Sequence, residues 1–71
     1  MRDTRERCEG LVKWFDRRKG YGFVVLFGQQ DSIYVDREDI EGERKTLSEG
    51  QQVSFVLELG AGRFEAREVR P

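Results

Sequence analysis

The chain has 71 residues, 38% of them charged, and a formal net charge of −1, which suits one domain with a small core. A single cysteine and no histidine exclude an intrachain disulfide, most zinc sites and a histidine general base. The near-neutral balance argues against a protein that grips phosphates by bulk charge alone.

The first ten residues, MRDTRERCEG, are charged and lack the apolar middle of a signal peptide. No apolar run approaches the roughly 20 residues of a membrane helix. The expectation is a soluble cytoplasmic domain over 1–71, with residues 1–7 frayed and no membrane partner. Cys8 fits a reducing compartment and reads as a small apolar filler on a strand.

Apolar residues alternate with period two almost throughout, and no stretch of ten or more residues reads as an amphipathic helix. CEGLVKWFD (8–16) is the first expected strand, ending at the charged turn RRKG. Tyr21 to Phe27 forms the second, closed by the polar loop GQQDS, and Ile33 to Val35 a short third. DREDI (36–40) closes one helical turn, with Asp36 as N-cap and Asp39 supporting the free amides. Residues 41–50 read as a long polar connection. Val53, Phe55 and Leu57 mark a fourth strand, GAG (60–62) a hairpin turn, and Phe64 to Val69 the fifth. Short strands in this number cannot hide both faces of an open sheet, so an all-β, five-stranded antiparallel small barrel is expected, with one helical turn. Its expected core is Val12, Val24, Leu26, Ile33, Val35, Val53, Phe55, Leu57 and Val69.

Strand parity then assigns faces. If Val24 and Leu26 fill the barrel, Tyr21 and Phe23 point outward, and the same test on Ile33 and Val35 turns Tyr34 and Asp36 outward. Exposed aromatics grouped this way mark a binding surface. Gly20 and Gly22, between and beside the rings, suggest a bulge or a close backbone approach. Lys13, Arg17, Arg18 and Lys19 surround this end against Asp16 alone, whereas between 31 and 45 Asp31, Asp36, Glu38, Asp39, Glu41 and Glu43 outnumber the cations. Rings rimmed by cations are the physical recipe for stacking the bases of a single strand. The acidic stretch reads as solvated surface; nothing in it indicates the convergent oxygens of a metal site.

Lys19-Gly20-Tyr21-Gly22-Phe23-Val24 matches the RNP1 signature except that Leu26 replaces a final aromatic. With GLVKWFD (10–16) upstream, IYV (33–35) and LSEGQQVSF (47–55), the chain resembles the bacterial cold-shock proteins from about Gly10 to Val69. The resemblance implies an OB-type barrel that binds single-stranded RNA and DNA with low sequence specificity, as an RNA chaperone. Carried over by position, Lys13, Trp14, Phe15, Lys19, Tyr21, Phe23 and Tyr34 are expected to contact bases or phosphates. Trp14 and Phe15 are adjacent and cannot share a face of a regular strand, so a bulge or the turn at Asp16 must serve one of them.

Several positions depart from the family pattern. Asp36 and Arg37 replace rings of a motif that usually reads VFVHF, Arg44 replaces a loop aromatic, and Arg63-Phe64 replaces a Gly-Pro pair. Asp36 repels phosphate and cannot stack, while Arg37 and Arg44 can stack on bases or pair with phosphates; Arg18 joins Lys13 and Lys19 as a flanking cation of the rim. Arg63 is either a phosphate contact or a solvated turn residue. Val25 and Phe27 continue the outward parity; either the strand end tucks Phe27 against a loop, or the stripe is a weak homodimer or partner surface. The function expected is therefore single-strand binding, with a protein-interaction barrel as the alternative. No carboxylate pair or phosphate loop supports an enzyme, and no cofactor or small-molecule substrate is expected.

Overall fold

Alternating apolar and polar residues carry the chain through strands β1 (Arg7–Asp16), β2 (Tyr21–Leu26), β3 (Ser32–Asp36), β4 (Gln52–Leu59) and β5 (Phe64–Arg70), with a 3-10 turn at Arg37–Asp39 between β3 and β4. The computed structural model describes residues 7–71, and its strands close into a barrel in the order β1-β2-β3-β5-β4. Each expected strand is present, its ends displaced by no more than a residue or so. Fraying expected over residues 1–6 lies outside the described residues. Arg7 itself opens β1, and its guanidinium donates to the carbonyls of Ser54 at 2.9 Å and Glu68 at 2.6 Å.

The antiparallel expectation holds for every ladder but one. β1 runs antiparallel to β2 and β4, and β2–β3 and β4–β5 are antiparallel, while β3 and β5 pair in parallel through Tyr34↔Glu65 and Val35↔Ala66. A ring with an odd number of strands cannot alternate direction all the way round, so one contact must be parallel. It falls where β5 meets β3, and the parallel bridge Ile40↔Val69 extends it.

Val12, Val24, Ile33, Val35, Val53, Phe55 and Val69 are buried as their parity requires, and Leu26 and Leu57 pack half-buried at the edge of the same cluster, as does Cys8. Burying each large aliphatic or aromatic side chain contributes about 1.5–3 kcal/mol. Ile40 and Leu47 complete the core from outside the strands, and Ala66 from β5. Ile40 ends the 3-10 turn, and Leu47 comes from the connection read as long and polar; a lone apolar residue in a polar run has no period to reveal it. Val56 is buried beside Phe55 although adjacent strand residues face opposite ways. It lies outside the core cluster, flanked by its register partners Arg7 and Arg67.

Asp36 caps the 3-10 turn as expected, its Oδ1 accepting from the Glu38 amide at 2.9 Å. Asp39, expected to support the same amides, instead takes Arg67 at 2.8 Å. Glu58 at 3.1 Å and Glu65 at 2.7 Å complete the set around that guanidinium. Hydrogen bonds that Arg67 donates to Glu58 and Asp39 hold its guanidinium protonated beyond its ordinary range. Glu41 likewise pairs with Arg70 at 3.2 Å. Part of the acidic stretch is thus tied to β5.

Gly22 marks a close contact between β1 and β2. A methyl group there would run into the Trp14 carbonyl oxygen and come within 2.7 Å of the Phe15 Cα and 2.8 Å of the Phe15 ring. Two of those obstacles are backbone and cannot rotate away. Gly22→Ala is therefore expected to destabilise the barrel by about 3 kcal/mol, the upper end of ordinary overpacking. Chemical denaturation checks this; an unchanged midpoint would mean that β1 stands further from β2.

Candidate nucleic-acid interface

Val12 faces the barrel, and in an unbroken pleat Trp14 would face it too. The β1–β2 register instead slips by one residue, from Val12↔Val24 to Trp14↔Phe23. Such a slip leaves one residue unpaired and reverses the facing of everything beyond it. Lys13 is that residue, exposed, its Nζ 3.3 Å from Ser32 Oγ. Trp14 consequently stands beside Phe23 on the outer face at 38% exposure. Phe15 pairs with Gly22 and packs half-buried against the core. The slip resolves the problem of two adjacent rings: it serves Trp14 and turns Phe15 toward the barrel.

Four rings meet on the outer face. Trp14 stacks on Phe23 with centroids 6.2 Å apart and meets Tyr21 edge-on at 5.4 Å. Tyr21 and Tyr34 lie 5.9 Å apart and 23° from parallel, while Phe23 presents its edge to Tyr34 at 6.0 Å and to Tyr21 at 6.3 Å. These distances and angles are those of mutually supporting aromatic pairs, so the rings hold one another upright. Gly22, buried between Tyr21 and Phe23, leaves room for β1 to press close beneath them.

The basic end is built by the turn after β1. Asp16 Oδ1 accepts from the Arg18 amide at 2.9 Å and the Lys19 amide at 3.0 Å, and its carbonyl accepts from the Gly20 amide at 2.8 Å. Arg17, Arg18 and Lys19 are left exposed on this turn. Gly20 has φ +76°, and a methyl there would lie 2.5 Å from Arg37 Cδ. The Arg37 stem therefore crosses Gly20, and its amide donates to the Gly20 carbonyl at 2.9 Å. Arg44 is exposed on the connection between the 3-10 turn and β4.

Arg63 takes a place that sequence reasoning did not foresee. Its guanidinium carbon sits 3.9 Å from the centroid of the Tyr34 ring, a cation–π contact, and its Nε is 3.3 Å from Glu65 Oε2. No local signal could reveal this, because Arg63 and Tyr34 meet only through the parallel β3–β5 ladder. Tyr34 Oη donates to Asp36 Oδ2 at 3.1 Å. Burial first, then this hydrogen bond and the Asp36 charge, raise the Tyr34 pKa above 10.0, with Arg63 opposing.

Other large apolar side chains are exposed away from the rings. Phe27 lies just past β2 and is 51% exposed, so no loop seals it. Leu59 and Phe64 flank the last hairpin turn at 68% and 52%. Among the described residues there is no group of His, Cys, Asp and Glu side chains that could hold a metal ion, and no helix long and apolar enough to cross a membrane.

A five-stranded barrel of OB type carrying a cluster of outward rings beside a basic turn is the class of protein that the geometry defines. The 'Cold-shock' DNA-binding domain model matches residues 8–71. The chain is 44% identical over 62 residues to cold shock protein CapA of Pseudomonas fragi, covering 86% of this chain and 97% of that one. It is 50% identical over 52 residues to cold shock protein CspB of Bacillus caldolyticus, covering 72% and 77% respectively. Among solved structures, Drosophila Unr CSD456 superposes with a TM-score of 0.78 over 94% of this chain and 27% of its own, at 15% identity. That last likeness is one of fold. The chain belongs to the cold-shock DNA-binding domain family.

The Tyr34–Asp36 contact has a pH signature. A raised phenol pKa means that the fold favours the neutral ring, so this contribution is complete below about pH 10, the ordinary tyrosine value. It is lost as the pH rises through the higher folded value. Ultraviolet titration of the phenols should show a step above the ordinary range that moves down in Asp36→Ala. An unmoved step would mean that Asp36 does not hold the hydroxyl.

Proposed function

We propose that this chain binds single-stranded RNA and DNA by stacking bases on Trp14, Tyr21, Phe23 and Tyr34, with little demand on sequence. The observation that carries the reading is the outward cluster of four rings in mutual contact. A base stacked on an aromatic ring gains roughly 1–3 kcal/mol, and any base has a face to offer. Lys13, Arg18 and Lys19 lie beside the rings to meet phosphates, and Arg37 extends that rim from across Gly20. Arg44, exposed on the connection before β4, offers a further guanidinium. Phe15, half-buried against the core, has less of its ring to offer. The cellular role that fits is an RNA chaperone of the cytoplasm, keeping transcripts open under stress and bearing on transcription. The chain is not an enzyme: stacking and counter-charge need no nucleophile, base or cofactor.

Trp14 is the only tryptophan and reports binding directly. Its fluorescence should be quenched by oligo-dT and oligo-U, with a shallow dependence on salt because few phosphates are neutralised. Phe23→Ala should weaken binding by about 1–3 kcal/mol while changing folding much less. Absence of quenching at low salt, or a variant that unfolds instead, would count against this reading.

The exposure of Phe27 favours a second reading, weak self-association through Val25 and Phe27. Sedimentation at high protein concentration should then show a dimer fraction that Phe27→Ser removes. A strict monomer unaffected by the substitution would dismiss it.

A further inference from the structure

Asp36 is the one place where a carboxylate enters the row of outward side chains on β3, and it is held there with precision. Its Oδ1 accepts from the Glu38 amide at 2.9 Å and its Oδ2 from the Tyr34 hydroxyl at 3.1 Å. These donors sit on different oxygens and fix the carboxylate plane. A carboxylate oxygen has two lone pairs, so each oxygen retains accepting capacity. Among the described residues, no cation lies within salt-bridge distance of Asp36; Arg63, which covers the neighbouring Tyr34 ring, is paired with Glu65 instead. Asp36 is therefore an oriented acceptor whose charge is not already satisfied by a cation.

Its position decides what it can accept from. Asp36 is the register partner of Tyr21 across β2–β3, and the Tyr21 and Tyr34 rings stack beside it. A base lying on this pair brings an edge, not a face, toward the carboxylate. Phosphate is repelled there. Uracil and thymine offer an N–H flanked by two carbonyl oxygens, both of which the charge opposes. Cytosine, adenine and guanine each carry an exocyclic amino group, and carboxylates are suited to accept from such groups.

We propose that Asp36 is a specificity-determining residue that favours amino-bearing bases over uracil and thymine at the Tyr21–Tyr34 end of the platform. The inference rests on the single-strand reading above and adds a preference that stacking alone does not supply, since cytosine and uracil have nearly the same ring.

The test compares oligodeoxycytidylate with oligodeoxyuridylate of equal length, at neutral pH and one salt concentration, by Trp14 fluorescence titration of the full chain and of Asp36→Asn. The two ligands differ only in the base edge. Asparagine keeps the shape and is as good a cap as aspartate, so the variant is expected to fold, which its thermal melt checks. It replaces one accepting oxygen with an amino donor that suits the uracil carbonyl. The unsubstituted chain should bind the cytidylate about tenfold more tightly, within the range of a good base-edge contact. In Asp36→Asn that ratio should fall to about one or invert. Equal affinities in the unsubstituted chain, or a ratio that survives the substitution, would overturn the assignment. If neither oligomer is bound by either protein, the single-strand reading itself fails and the preference with it.

Discussion

Val12 and Trp14 are two residues apart on β1, and a regular strand would send both into the barrel. The register slip at Lys13 breaks that rule once, and the outer face depends on it. Beyond the slip, Trp14 joins Phe23 outside while Phe15 turns to the core side opposite Gly22. The slip is stable because Gly22 has no side chain. The Trp14 carbonyl and Phe15 occupy the space that any Cβ would need. A glycine in a strand ordinarily loses packing and entropy; here the same absence lets two strands approach closely enough to carry four rings above them.

Ring stacking and charge play unequal parts on this face. A net charge of −1 gives no long-range pull on a polyanion, and exposed charges are screened beyond about 10 Å at moderate salt. The cations that matter are therefore local, presented by the Asp16 turn and by Arg37. Asp39 and Glu41 are held by Arg67 and Arg70 on β5, so these acids have local counter-charges. Asp36 is different, being turned outward beside Tyr21. Stacking survives salt, so on the proposed reading it contributes more than charge does. On the proposal above, the carboxylate bears on which bases stack rather than on whether they do.

Much of this architecture was legible in the residues. Period-two alternation gave the strands, and parity alone sorted Val24 and Ile33 from Tyr21, Phe23 and Tyr34, because these stretches are regular. Parity failed where the ladder is irregular. Trp14 and Phe15 demanded a bulge or turn but did not reveal which. Val56 is buried on the outer side between two arginines, a covering that depends on neighbouring strands. Leu47 plugs the core from a polar connection with no pattern to expose it. Arg63 reaches Tyr34 across a parallel ladder that exists because an odd ring must contain one, and strand counting could have required such a ladder without locating it. Local rules thus carried the strands and the ring row, while contacts between distant segments carried the rest.

The central claim is that nucleic acid lies on the four-ring face and not on the other exposed apolar side chains, Phe27 past β2 and those flanking the last hairpin. Side-chain aromatic NMR shifts, followed while a short single strand is added, test this most directly. The account predicts that ring protons of Trp14, Tyr21, Phe23 and Tyr34 move together and saturate together, while those of Phe27 and Phe64 stay in place. Shifts concentrated on Phe27 and Phe64, with the four rings silent, would contradict it.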